Sequence, residues 1–306
     1  MPARPMIDNA MKAIVFDVQR SSYVDGPGVR TTVFVKGCNL RCAWCHNPES
    51  QSAGPERMWY EDLCTRCGSC VVRCPEQAIS FDPDLGKPIL HSEMCTLCGK
   101  CAAFCLHDAI KLCGQEMTVA EIFREIGKDW LFYEATGGGV TISGGECMLR
   151  PDCVVELTKR CHDENIHVAV DTAGGVPWES FAKVLPYTDL FLYDIKCITP
   201  ALHRQYTGVD NALILENYKR LLEHGCAVHV RVPMIPECSA NDAEFAKICD
   251  FLHRYPPDKV ELLPYHAMGE GKYRALGRGE PMGFVAPTDA VLQRYRGMVA
   301  DIEQRM

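Results

Sequence analysis

The stretch "RTTVFVKGCNLRCAWCHNPES", residues 30–50, decides the fold. Its first half is β-branched and aromatic, the composition of a buried strand, and its second half spaces Cys38, Cys42 and Cys45 as C-x3-C-x2-C. Asn47-Pro48 opposes an immediate long helix, so the three thiols sit at the end of a strand. A structural zinc site closes its shell with four protein ligands. Three ligands leave one position open, and an open position implies chemistry.

Beyond residue 113 the apolar periodicity alternates between the two regular elements. "TVAEIFREIGKDW" (118–130) has helical spacing, and "GGGVTIS" reads as a strand ending at Gly144-Gly145-Glu146. "CVVELTKRCHDEN", "WESFAKVLP", "NALILENYKRLLEHG" and "NDAEFAKICDFLHRY" read as helices. Strands "IHVAVDTAGG", "DLFLYDIK", "CAVHVRVPMIP" and "KVELLPYH" lie among them, and a last helix covers 288–306. Six strands alternating with helices predict an α/β fold, a partial (β/α)6 TIM-like barrel. Chemistry in such folds gathers where strands meet the loops that follow. The Cys38 loop, Ser143 to Glu146, Asp171, Asp194 to Lys196, Arg231 and His266 occupy those ends.

An internal repeat interrupts the barrel. "CTRCGSCVVRCPEQAIS" (64–80) and "CTLCGKCAAFCLHDAIK" (95–111) share C-x2-C-x2-C-x3-C, a ferredoxin spacing in which the fourth Cys of each run ligates the other run's cluster. Cys64, Cys67, Cys70 and Cys105 then hold one four-iron cluster, and Cys95, Cys98, Cys101 and Cys74 another. The first run keeps the expected Pro75, whereas the second has Leu106. Zinc ribbons also use C-x2-C pairs and are the competing reading. The expected organisation is a ferredoxin-like two-cluster insert at 59–113 and a barrel of 11–58 and 114–306. Residues 1–10 form a flexible tail, with Met11 an alternative start.

The chain of 306 residues carries a formal charge of -8 and no basic stripe, which argues against nucleic acid. Without a leader pattern or an apolar run of about 18 residues, a cytoplasmic location away from membranes is expected. Eleven of the nineteen cysteines fall in the three runs. The other eight, Cys113, Cys147, Cys153, Cys161, Cys197, Cys226, Cys238 and Cys249, read as small buried hydrophobes in a reducing, anoxic cytoplasm.

The motifs "YVDGPGVRTTVFVKGCNLRCAWCHNPES", "GGGVTISGGE", "VAVDTAGG", "LYDIK", "YTGVDN", "VRVPMIP" and "ELLPYHAMGEGKYRALG" span nearly the whole chain. In them the sequence resembles the glycyl radical enzyme activating enzymes of the radical S-adenosylmethionine superfamily. The resemblance implies that Cys38, Cys42 and Cys45 hold a catalytic four-iron cluster, one of three, whose open iron is chelated by S-adenosylmethionine. It implies that Ser143, Gly144, Gly145 and Glu146 lie at the methionine amino group, and that Asp171 helps hold a monovalent cation. Asp194, Lys196, Arg231 and His266 become cofactor contacts, and Trp44 and His46 flank Cys45 where the adenine lies. Without the resemblance His266 reads as a structural histidine. Cys147 and Glu237 depart from the family pattern, where Pro or Ala and Gly are usual.

The implied activity is reductive cleavage of S-adenosylmethionine, giving a 5'-deoxyadenosyl radical that takes hydrogen from a glycine of a partner glycyl radical enzyme. A flavodoxin or ferredoxin would supply the electron. The partner is expected among dehydratases, decarboxylases and carbon–nitrogen or carbon–sulfur lyases. The alternatives are a radical enzyme acting on a small molecule or maturing another protein residue, and an electron-transfer ferredoxin with an appended barrel.

Overall fold

The computed structural model describes residues 11–279 and 282–303, so the expected tail at 1–10 and the end of the last helix lie outside it. An eight-stranded mixed sheet forms the centre. Its strands are β1 (Lys12–Ser22), β2 (Arg30–Val35), β3 (Gln115–Thr118), β4 (Gly139–Gly144), β5 (His167–Thr172), β6 (Leu190–Asp194), β7 (Val228–Met234) and β8 (Lys259–Pro264). The order across the sheet is β8-β7-β6-β5-β4-β2-β1-β3. From β2 to β8 every pairing is parallel, whereas β1 pairs antiparallel with both β2 and β3.

The sequence reading contains six of these strands. β1 and β3 lie outside that reading. β3 is only "QEMT", and it becomes a strand through its pairing with Lys12 to Val15.

Burial explains the parallel strands. All six residues of β2 are buried, as expected for a strand covered on both faces. Val33, Val140, Val168 and Val230 contribute to one continuous core. Helices cover it with narrow apolar faces: Val119–Ile126 starts on a Thr118–Glu121 capping box and buries Val119, Ile122 and Ile126. Helix Asp242–Arg254, capped by Asn241, buries Phe245, Ile248 and Leu252.

Register then places the polar strand ends together. Phe34 stands opposite Ser143, Leu192 opposite Asp171, and Asp194 opposite Arg231. The eight-cysteine segment stands on a separate two-stranded stem, Glu56–Trp59 against Ile110–Cys113, with a second hairpin of Ile79–Asp82 and Lys87–Leu90. All nineteen cysteines are free thiols. Of the eight scattered ones, Cys113 and Cys226 are half-buried and the rest buried.

Candidate active site

One cavity lies at the strand ends. Cys38, Cys42, Trp44, Cys45 and His46 line it from the loop after β2, and Ser143, Gly144, Gly145, Asp171, Asp194 and Lys196 line it from the ends of β4, β5 and β6. Asn47, Thr172, Ala173, Ile235, Leu263 and Tyr265 also line it; sequence reasoning did not select them, because none carries a motif that marks it apart from ordinary strand and loop residues.

The cysteine loop is clasped from several sides. Arg41 N–H donates to Thr207 O at 2.8 Å and Ala43 N–H to Tyr206 O at 2.9 Å, which gives "YTGVDN" a structural role. Lys272 Nζ donates to Asn47 Oδ1 at 2.9 Å and Glu49 Oε1 at 2.5 Å, and Arg278 donates to Pro48 O, so "GEGKYRALGR" is the other clasp. Gly269 fits only without a side chain, since a Cβ there would stand 2.9 Å from His46 Cα.

Gly144-Gly145 serves the same loop. A Cβ on Gly144, at φ +125°, would meet Val35 O at 2.1 Å, and one on Gly145 would meet Gly37 O at 2.3 Å. The missing side chains let the cysteine loop close against β4. Glu146 lies beneath the floor and does not line the cavity: it is buried and accepts from Met148 N–H, Thr172 Oγ1 and Ala173 N–H. Burial pushes its carboxyl up to about 7 despite those bonds.

The charges are paired. Lys196 Nζ donates to Asp194 Oδ2 at 2.7 Å; burial alone would lower the ammonium's pKa, but Asp194 outweighs it and holds it above its ordinary value. Ser143 Oγ donates to Asp171 Oδ2 at 2.7 Å, and burial raises Asp171 to about 6. Arg231 is not on the cavity wall. Its guanidinium stands 3.4 Å from Asp171 and from Glu261 and 3.9 Å from Asp25, and it donates to Val24 O at 2.8 Å. Arg231 thereby ties the "DGPG" loop to the strand ends.

His266 also lies off the main cavity, with its ring stacked on His46 at 3.7 Å. Burial, then the neighbouring His266, lowers His46 to about 4, so its ring is neutral. His46 Nε2 is buried without a partner among the described residues, an orphan that a ligand in the cavity would satisfy. Trp44 packs in a cluster with Tyr206, Ile235, Tyr265 and Phe284.

Burial raises the thiols of Cys38, Cys42 and Cys45 to about 11, 12 and 11. Buried thiolates need a cation, and a metal centre that displaces their protons fits this donor set. Among the described residues no three His, Cys, Asp or Glu side chains stand close enough to hold a single metal ion.

Two smaller cavities lie in the eight-cysteine segment. One is lined by Cys64, Cys67, Cys70 and Cys105, the other by Cys74, Cys95, Cys98 and Cys101. Each therefore draws its fourth cysteine from the other run.

Residues 24–205 match a family described as "4Fe-4S single cluster domain", more than half of the chain. A radical SAM methyltransferase from Sphaerobacter thermophilus shares the fold, with a TM-score of 0.52 at 15% identity over 93% of this chain and 66% of that one. That likeness shows the fold, and the family match with the relatives that follow shows a radical S-adenosylmethionine enzyme. The choline trimethylamine-lyase activating enzyme of Oleidesulfovibrio alaskensis is 40% identical over 94% of this chain and 95% of its own. The trans-4-hydroxy-L-proline dehydratase activating enzyme of Clostridioides difficile is 44% identical over 86% and 87%. The chain belongs to the glycyl radical enzyme activating enzymes. No helix among the described residues is long and apolar enough to cross a membrane.

Proposed function

We propose that this enzyme reductively cleaves S-adenosylmethionine and directs hydrogen abstraction at a glycine of a partner glycyl radical enzyme. The observation that carries the reading is the meeting of Cys38, Cys42 and Cys45 with Gly144, Gly145, Asp171, Asp194 and Lys196 around one cavity. The three thiolates would hold a four-iron cluster, leaving one iron for the amino acid end of the cofactor. Bound there, cluster and cofactor supply one-electron cleavage of the sulfonium and a 5'-deoxyadenosyl radical.

The chain's own residues position that cofactor. Lys196, kept cationic by Asp194, offers a charge-assisted bond to a carboxylate. Backbone at Ser143 to Gly145 offers a close approach for the amino group, and the reading includes a monovalent cation beside Asp171. Trp44 and His46, the latter with His266 stacked behind it, are aromatic surfaces of the cavity suited to adenine. Glu146 and Arg231 act from beneath as positioning residues: one staples the ends of β4 and β5, the other holds the "DGPG" loop.

The strands from β2 to β8 would curl as a partial (β/α)6 barrel, and the edge strands β3 and β8 do not pair with one another among the described residues. The opening this leaves suits an extended peptide. The segment 59–113 would act as a ferredoxin-like insert with two further clusters, a reading supported by the crosswise grouping of its cysteines in two cavities. Its electrons would come from a flavodoxin or ferredoxin in a reducing cytoplasm.

Isotope transfer tests the function. Reduced enzyme and S-adenosylmethionine are incubated with a partner, or a loop peptide from one, carrying α-deuterated glycine, and the 5'-deoxyadenosine is weighed. Deuterium in the nucleoside together with a glycyl signal in electron paramagnetic resonance is expected. Rapid cleavage with deuterium arriving only from a small metabolite would transfer the assignment to a small-molecule enzyme.

A further inference from the structure

The two insert sites are built on one frame. Backbone enters the left-handed region at repeat-equivalent positions in both runs: Arg66 and Leu97, Gly68 and Gly99, Gln77 and Asp108. The strand pairs are equivalent too, with Pro88 opposite Phe81 at one site and Arg57 opposite Leu112 at the other. Identical frames make the differences between them informative, and the largest is Arg57 against Pro88.

Arg57 Nη1 donates to Cys95 Sγ at 3.5 Å, and Arg57 Nε is buried with no partner among the described residues. Pro88 brings neither charge nor a donor to the Cys64 site. Other charges near the two cavities, Arg66 and His107 at one and Glu76 and Lys111 at the other, are exposed and screened by solvent.

The sites are also ordered in space. Ile110 lines both insert cavities. Lys111 and Leu112 line the Cys95 cavity and a further one that reaches Asn47 and Glu49, and Asn47 in turn lines the active-site cavity. The Cys64 cavity shares no residue with that connecting space.

We infer that Arg57 makes the Cys74, Cys95, Cys98 and Cys101 site the electron-accepting member of the pair and the exit toward the three-cysteine loop. The inference rests on the insert holding two clusters. A half-buried guanidinium donating to a ligand sulfur favours the more negative, reduced state of whatever that ligand holds. One electron leaves a reduced carrier protein, enters at the Cys64 site, passes to the Cys95 site and goes on to the active site; no bond is made or broken. Arg57 lines the Cys95 cavity, where a sulfur acceptor would satisfy its orphan Nε.

The test is an anoxic redox titration of cluster-loaded protein followed by electron paramagnetic resonance, with iron content measured first. In Arg57→Gln, one insert cluster is expected to lose at least tenfold in its reduction equilibrium, about 59 mV for one electron. The other is expected to hold its potential, and Arg57→Lys to shift less. In a Cys98→Ala background, which removes the Cys95 site, Arg57→Gln is expected to leave the remaining insert cluster unmoved. Unchanged potentials in a fully loaded Arg57→Gln protein, or a shift that persists in the Cys98→Ala background, would overturn the inference. Wild-type protein with only about four irons would instead overturn the reading of the insert on which it rests.

Discussion

The three-cysteine loop and the eight-cysteine segment both gather thiols, yet one is held by the whole protein and the other by itself. The loop's thiols are half-buried, its backbone is fixed by Tyr206, Thr207 and Arg278, and its side chains Asn47 and Glu49 are held by Lys272, all from distant parts of the chain. In the segment Cys67 and Cys98 are exposed, and its hairpins and turns come from local repeats. A site that must hold a ligand in a fixed pose needs support from many elements. A segment proposed to relay electrons can be built from its own repeat, with hydrogen bonds to sulfur tuning it.

The comparison is broken most severely at the three-cysteine loop. Cys42→Ala is expected to lose about four irons of about twelve and to abolish cleavage of S-adenosylmethionine, read by iron assay and 5'-deoxyadenosine chromatography. Retained cleavage would remove the loop from the chemistry.

Glycines sharpen the contrast next. Gly145→Ala forces a Cβ onto Gly37 O and is expected to cost about 2–4 kcal/mol in anoxic denaturant unfolding. Gly68→Ala, with nothing within 4 Å of its Cβ, pays only for its left-handed backbone, about 1–2 kcal/mol. Equal losses would mean that the loop is no more tightly clasped than the segment.

Removing Cys64 and Cys95 together by alanine substitution should leave S-adenosylmethionine binding within about twofold by calorimetry. Turnover driven by a reduced flavodoxin should fall roughly tenfold. Loss of binding in a folded variant would make the segment part of the cofactor site.

The most gradual effect, spread over several pH units, concerns Glu146. Burial holds its carboxyl at about 7, above its ordinary 4.5, so the folded protein binds this proton more tightly than the unfolded chain. Its stabilising contribution is full below pH 4.5 and is lost as pH rises through 7, on the order of 3 kcal/mol. Glu146→Gln should flatten that slope in melting curves taken from pH 5 to 8.

By itself the sequence determined the pattern of chemistry: three thiols after a strand, a ferredoxin-spaced repeat, and polar residues at the ends of alternating strands. Those features are local, because spacing within a few residues fixes which side chains can share a turn, a face or a loop. Tertiary structure alone decided what depends on distant approach. It put Glu146 under the floor, gave Arg231 to Asp25, Asp171 and Glu261, and added β1 and β3 to the sheet. It turned Gly144-Gly145 toward the backbone of Val35 and Gly37, and it brought Arg57 to Cys95. Each of these depends on pairing between strands or loops far apart in the chain, whose partners only the packed sheet selects.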